Sequence, residues 1–148
     1  MINRYILLAE DNPHDAELTM AALREGKVVC PIERMADGAE TLDFLFRRGA
    51  HASRTSGPPS LILLDIKMPK VDGLEVLKVI KSDPVLRVIP VVMLTSSRED
   101  SDLMKCYSYG VNAFVVKPVD FLDFMTAVRE LGQFWGVINE PSPVPAGT

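Results

Sequence analysis

Four short apolar runs in this chain each stop on a polar residue of the kind that phosphate and metal chemistry uses. Tyr5-Ile6-Leu7-Leu8-Ala9 stops on Glu10-Asp11, and Leu61-Ile62-Leu63-Leu64 stops on Asp65. Val91-Val92-Met93-Leu94 stops on Thr95, and Phe114-Val115-Val116 stops on Lys117-Pro118. Continuous apolar runs of this length, separated by helical patterns, read as strands of a parallel sheet buried on both faces. Open sheets of that kind bind ligands just beyond the carboxyl ends of their strands. The pattern therefore predicts acids, a hydroxyl and an ammonium gathered at one sheet edge.

The 148 residues are enough for one domain. The sequence reads as alternating strand and helix throughout. The strands are expected at 4–9, 29–35, 61–64, 89–94 and 112–116. Asn12-Pro13 reads as an N-cap followed by a first-turn proline, opening a helix that runs to about Arg24. Asp15 falls where an acid favours the positive helix end. Asp37 opens a second helix ending at Gly49, with Leu42, Leu45 and Phe46 as its apolar stripe. A third helix spans about 73–82. A fourth spans about 98–109, capped by Ser97 with Asp100 and ended by Gly110. Asp120 caps a fifth, about 121–135. Its core face is Phe121, Phe124, Met125, Val128, Leu131 and Trp135, which leaves Leu122 and Phe134 outward. Residues 50–60 are a long loop by composition, read as a mobile insertion. The domain is expected over 1–136, with 137–148 a proline-rich tail and no separate output domain.

The net charge of −4, with no basic block, gives nucleic acid little to hold. No signal-peptide pattern and no stretch of membrane-spanning length appear, so the cytoplasm is expected. Cys30 and Cys106 have no metal spacing and read as reduced, partly buried thiols.

The chemistry follows from the strand ends. Two carboxylates about 4 Å apart repel by about 4 kcal/mol at an effective dielectric near 20. Glu10, Asp11 and Asp65 held together therefore need a cation or take up protons. Hard oxygen donors without a nearby histidine favour Mg²⁺, which also keeps sites for water or phosphate. Asp65, ending the most apolar strand, is the candidate nucleophile for an aspartyl phosphate. Lys117 offers a point charge and Thr95 a hydroxyl to the phosphoryl oxygens. No Walker motif, dinucleotide fingerprint, Gly-x-Ser-x-Gly or Cys-x-x-Cys competes with this reading. His14 and His51 read as solvated.

Taken together and in order, these residues resemble the receiver domain of two-component response regulators over about residues 3–135. The matching elements are Glu10-Asp11, the run Asp65-Ile-Lys-Met-Pro-Lys-Val-Asp-Gly-Leu-Glu, Thr95-Ser96 and Lys117-Pro118. The resemblance implies a flavodoxin-like (βα)5 α/β fold, a doubly wound five-stranded parallel sheet with helices on both faces. It implies that Asp65 accepts a phosphoryl group from a histidine kinase. It implies that Asp11, Asp65 and the backbone carbonyl of Lys67 hold Mg²⁺, with Glu10 acting through water. Thr95 and Lys117 would contact the phosphoryl oxygens, Thr95 and Phe114 would form the switch pair, and Lys117-Pro118 would be cis. The runs Asp11-Asn-Pro-His-Asp-Ala-Glu, Phe44-Leu-Phe-Arg-Arg-Gly and Pro118-Val-Asp-Phe are similar to single-domain regulators that partner bacterial phytochromes, especially in cyanobacteria. There the resemblance implies a homodimer through helix four, strand five and helix five.

Other readings stand beside this one. A strand phenylalanine such as Phe114 is usually core. A hydrolase using Asp65 as nucleophile wants an acid two residues on, where Lys67 stands instead. A constitutive interaction module would keep the pocket and never be phosphorylated. The receiver reading makes the chain a switch that modifies only itself, not a turnover enzyme.

Overall fold

The computed structural model describes residues 4–26, 28, 30–96 and 105–129. Five parallel strands form one sheet in the order β2-β1-β3-β4-β5. They are β1 (Ile6–Ala9), β2 (Ile32–Met35), β3 (Leu61–Asp65), β4 (Val91–Thr95) and β5 (Ala113–Val116). The helices are α1 (Pro13–Glu25), α2 (Gly38–Phe46), α3 (Gly73–Ser82), α4 (of which residues 105–108 are described) and α5 (Phe121–Arg129). The strand pattern predicts the parallel sheet, and its order is the flavodoxin-like one that the family resemblance implies.

The alternation of side chains along each strand builds two cores. Leu7, Ala9, Ile62 and Leu64 face α2, α3 and Cys106 of α4. Ile6, Leu8, Leu61 and Leu63 face Ala16 and Leu23 of α1 and Phe124, Met125 and Ala127 of α5. Every residue of β1, β3 and β4 is buried, because helices cover both faces of the central strands. Cys30 and Cys106 are buried on opposite faces of the sheet, so they cannot join each other.

Caps at Asn12, Asp37 and Asp120 fix helix starts as the sequence predicts, and Asp72 caps α3 as well. Asn12 Oδ1 accepts the His14 and Asp15 N–H groups at 2.9 and 3.0 Å. Asp37 Oδ1 accepts the Glu40 N–H, Asp72 Oδ1 that of Glu75, and Asp120 Oδ1 those of Leu122 and Asp123. In α5, Leu122 is 74% exposed, as expected. The Ser97–Asp100 cap, Leu131, Phe134, Trp135 and the tail lie outside the described residues.

Two boundaries and one loop differ from expectation, each for a local reason. The β2 ladder starts at Ile32 rather than 29, since Pro31 brings no N–H, although its carbonyl still accepts the Ile6 N–H at 2.9 Å. Helix α2 stops at Phe46 because Arg47, with φ 55°, takes the left-handed position that glycine usually fills. Gly49, where the stop was expected, instead opens a 3₁₀ turn to His51. Loop 50–60 is fastened, not loose. Arg54 Nε donates to the Phe44 carbonyl at 2.9 Å, and its Nη1 donates to the Ser56 and Gly57 carbonyls at 2.6 and 2.9 Å. Its guanidinium lies 4.4 Å from the centre of the Phe44 ring, and Tyr5 Oη donates to the Gly57 carbonyl at 2.6 Å.

Candidate functional site

Register brings the strand ends level. Asp65 pairs with Leu94, and Thr95 pairs with Val116. The Ile66 N–H donates to the Leu94 carbonyl at 3.1 Å, and the Lys117 N–H donates to the Thr95 carbonyl at 2.8 Å. The ladder thus runs on until Lys117 stands beside Thr95. The Lys117–Pro118 peptide is cis. Behind β3, the Gly73 N–H donates to the Ile66 carbonyl at 2.7 Å, and a side chain on Gly73 would strike the Asp65 carbonyl. Glycine there lets α3 close tightly on the turn that follows Asp65.

Lys117 spans the strand ends. Its Nζ is 2.9 Å from Glu10 Oε1, 3.2 Å from Asp15 Oδ2 and 3.3 Å from Asp65 Oδ1. Three ammonium protons thus face three carboxylates. Glu10 is fully buried, and its other oxygen, Oε2, accepts the Asn12 N–H at 3.3 Å. A carboxylate that deep is tolerated only when paired, which is what Lys117 and Asn12 do. Burial works against the Lys117 charge, yet the Glu10 hydrogen bond and the Asp65 and Glu10 charges outweigh it and raise its pKa. Asp65 is 4% exposed. Burial first, and then the Glu10 charge, push its carboxyl up to about 7, with Lys117 pulling the other way.

Glu10, Asp11 and Asp65 each place one carboxylate oxygen within 4.8 Å of the others, and Asp11 is the least buried of them. One ammonium does not balance these three acids plus Asp15. The donor set is hard oxygen, closely spaced and reachable from the Asp11 side, which fits a hard divalent cation. Lys67 stands in the turn directly after β3 with its side chain exposed. Thr95 is buried at the end of β4. Phe114 is half-buried and packs edge-on against Tyr107 of α4, ring centres 5.1 Å apart.

The predicted site residues Glu10, Asp11, Asp65, Thr95 and Lys117 therefore stand at one end of the sheet, with Lys67 in the adjoining turn and Phe114 farther back along β5. His14 and His51 stand apart from the grouped acids: the His14 N–H donates to the Asn12 cap of α1, and His51 Nε2 pairs with Glu40 Oε2 at 3.2 Å. The sequence marks Asp15 only as a helix-end acid, but the first turn of α1 carries it to Lys117. Its helix position was visible in sequence and its partner was not. Beside this pair, Leu18, Thr19, Ser96, Pro118 and Val119 line a cleft of about 330 Å³.

A buried carboxylate next to an ammonium, with two further acids alongside, is the set of residues on which the resemblance to receiver domains rests. Residues 6–129 match the response regulator receiver domain, and the chain belongs to that family of two-component signalling proteins. The solved bacteriophytochrome response regulator AtBRR is 51% identical, with a TM-score of 0.84 over 95% of this chain and 99% of that one. The structure of the phosphorylated cyanobacterial phytochrome response regulator RcpA is 36% identical, with a TM-score of 0.74 over 96% of this chain and 100% of that one. The probable methanogenesis regulatory protein FilR2 of Methanothrix harundinacea (strain 6Ac) is 43% identical over 141 residues, 95% of this chain and 88% of its own length.

Proposed function

We propose that Asp65 accepts a phosphoryl group from a histidine kinase of the phytochrome type, and that the modified chain signals by rearranging its α4–β5–α5 face. The observation that carries this reading is the setting of Asp65: a buried strand-end carboxylate 3.3 Å from an ammonium and grouped with two more acids. An oxygen of Asp65 attacks the phosphorus of a phosphohistidine. The O–P bond forms as the P–N bond breaks, and the imidazole keeps the electron pair and takes a proton. Lys117 and the Thr95 hydroxyl meet the charge that develops on the phosphoryl oxygens. Asp11, Asp65 and the Lys67 carbonyl would hold Mg²⁺, with Glu10 acting through water, and the ion would supply Lewis-acid charge to the transfer.

Phosphorylation adds about −2 charge and three acceptor oxygens. Thr95 is drawn toward them and Phe114 repacks into the space behind it. Moving such a switch from 1:99 to 99:1 takes about 5.5 kcal/mol of differential stabilisation, within reach of a few charge-assisted hydrogen bonds. Tyr107 (64% exposed) and Leu122 (74%) supply apolar surface for a homodimer on this face. The chain modifies only itself, so it is a switch and not a turnover enzyme. It works in the cytoplasm beside its kinase, without nucleic acid or membrane. No described helix is long and apolar enough to cross a membrane.

The kinase assignment is tested by offering the chain to purified autophosphorylated kinases. Transfer from a phytochrome-type kinase should outpace transfer from an unrelated one by orders of magnitude; equal rates would remove the assignment. Sedimentation with and without beryllofluoride tests the dimer, which should gain population when the mimic is bound.

A further inference from the structure

Glu10 makes its last ladder bond through its N–H, which donates to the Met35 carbonyl at 3.1 Å. Its own carbonyl then meets a side chain. Arg34 Nε donates to the Glu10 carbonyl at 3.1 Å and Nη2 donates to it at 2.9 Å. The same Nη2 reaches the Asp11 carbonyl at 3.3 Å. Arg34 belongs to β2, which lies at the edge of the sheet. An edge-strand arginine has water freely available to it. This one is half-buried and lays its planar fork on two successive carbonyls. Those carbonyls belong to the two residues whose carboxylates join Asp65 in the acidic cluster.

We propose that Arg34 is a positioning residue for the divalent-cation site, fixing the Asp11 carboxylate through the main chain that carries it. The inference rests on reading Glu10, Asp11 and Asp65 as that site. Asp11 is the member of the cluster with least packing around it, so its placement depends on its backbone. That backbone is held on both sides: Arg34 ties the Glu10 carbonyl before it and the Asp11 carbonyl after it, and the Asn12 N–H is tied to Glu10 Oε2. A lysine cannot reproduce this, because its single nitrogen offers no planar pair of donors.

Geometry and charge predict opposite results here. If Arg34 acted only as a nearby positive charge, removing it would make the acidic cluster bind cations more tightly. If it acts by placing Asp11, removing the fork weakens binding whether or not the charge stays. The test is Mn²⁺ titration of the unphosphorylated protein, read from the free-ion electron paramagnetic resonance signal, for wild type, Arg34→Lys and Arg34→Met. Both variants should raise the Mn²⁺ dissociation constant about tenfold, the usual effect of losing an outer partner of a metal ligand. Tighter binding by Arg34→Met, or unchanged binding by both, overturns the proposal while leaving the cation site intact. Absence of Mn²⁺ binding by wild type removes the site itself, and the proposal with it. A second readout separates placement from a damaged fold. The Mg²⁺ concentration giving half-maximal phosphorylation of Arg34→Lys by a small phosphodonor should rise, while the rate at saturating Mg²⁺ stays within about twofold of wild type. A lower saturating rate with unchanged Mg²⁺ dependence would contradict the assignment.

Discussion

Lys117 Nζ lies 3.2 Å from Asp15 Oδ2, so the ammonium at the end of β5 is tied to the first turn of α1 as well as to the acids beside it. Asp15 and Glu10 together hold two of its three protons, which leaves the third directed at Asp65. The Asp15 side chain is 37% exposed, and a pair this open to water is worth under about 1 kcal/mol. Asp15→Ala should therefore slow phosphorylation by a small phosphodonor only about threefold. Asp15→Asn, which keeps an acceptor oxygen, should lose less. Initial rates at saturating Mg²⁺ provide the check.

Removing Lys117 should cost far more. Glu10 is completely buried and relies on that ammonium. Lys117→Met strands its charge, and losing one partner of a buried pair typically costs about 3–5 kcal/mol. Urea denaturation should show a loss of that order, together with failure to phosphorylate. Adding Glu10→Gln to the same chain should restore most of the stability and none of the phosphorylation.

The stability of the cation-free protein should depend on Asp65 with a definite sign. Burial and then the Glu10 charge push its carboxyl up to about 7, whereas an unfolded aspartate titrates near 4. Between those values the folded chain holds a proton that the unfolded chain has released. Stability from this group therefore falls as pH rises from about 4 to about 7, and is level above that. With chelator present, Asp65→Asn should be more stable than wild type by about 4 kcal/mol near pH 8 and show no such gain near pH 4. Denaturation at the two pH values tests this. The same proton competes with a cation, so divalent affinity should drop up to about tenfold per pH unit below 7.

Arg54 provides a contrast, since it is remote from the chemistry. It holds loop 50–60 through the Phe44, Ser56 and Gly57 carbonyls and packs on the Phe44 ring. Arg54→Ala should lower stability by about 2 kcal/mol by orphaning those partners, with no change in phosphorylation rate. Thermal melts and initial rates on the same samples separate the two effects.

The sheet and its active edge could be read from the sequence because both follow from local pattern. An unbroken run such as Leu61–Leu64 has to be covered on both faces, and in a parallel sheet its far end, Asp65, is where ligands bind. Asn12, Asp37 and Asp120 act as caps because a short polar side chain serves the next turn wherever it occurs. Features that depend on distant partners were not legible. Nothing near Arg34 in the chain indicates that its fork turns onto Glu10, and Arg54 in a Ser/Gly/Pro-rich stretch looks like any loop arginine. Asp15 meets Lys117 only because α1 and the end of β5 lie side by side. Arg47 in a left-handed conformation, one residue after Phe46, displaced the helix end that Gly49 had marked.

The central claim concerns one carboxylate, and intact-protein mass spectrometry after incubation with a small phosphodonor and Mg²⁺ tests it most directly. Wild type should gain the mass of a single PO₃ unit and lose it again in mild base, while Asp65→Asn, or wild type with chelator, gains none. Equal labelling of Asp65→Asn would show that the buried acid at the end of β3 is not the acceptor.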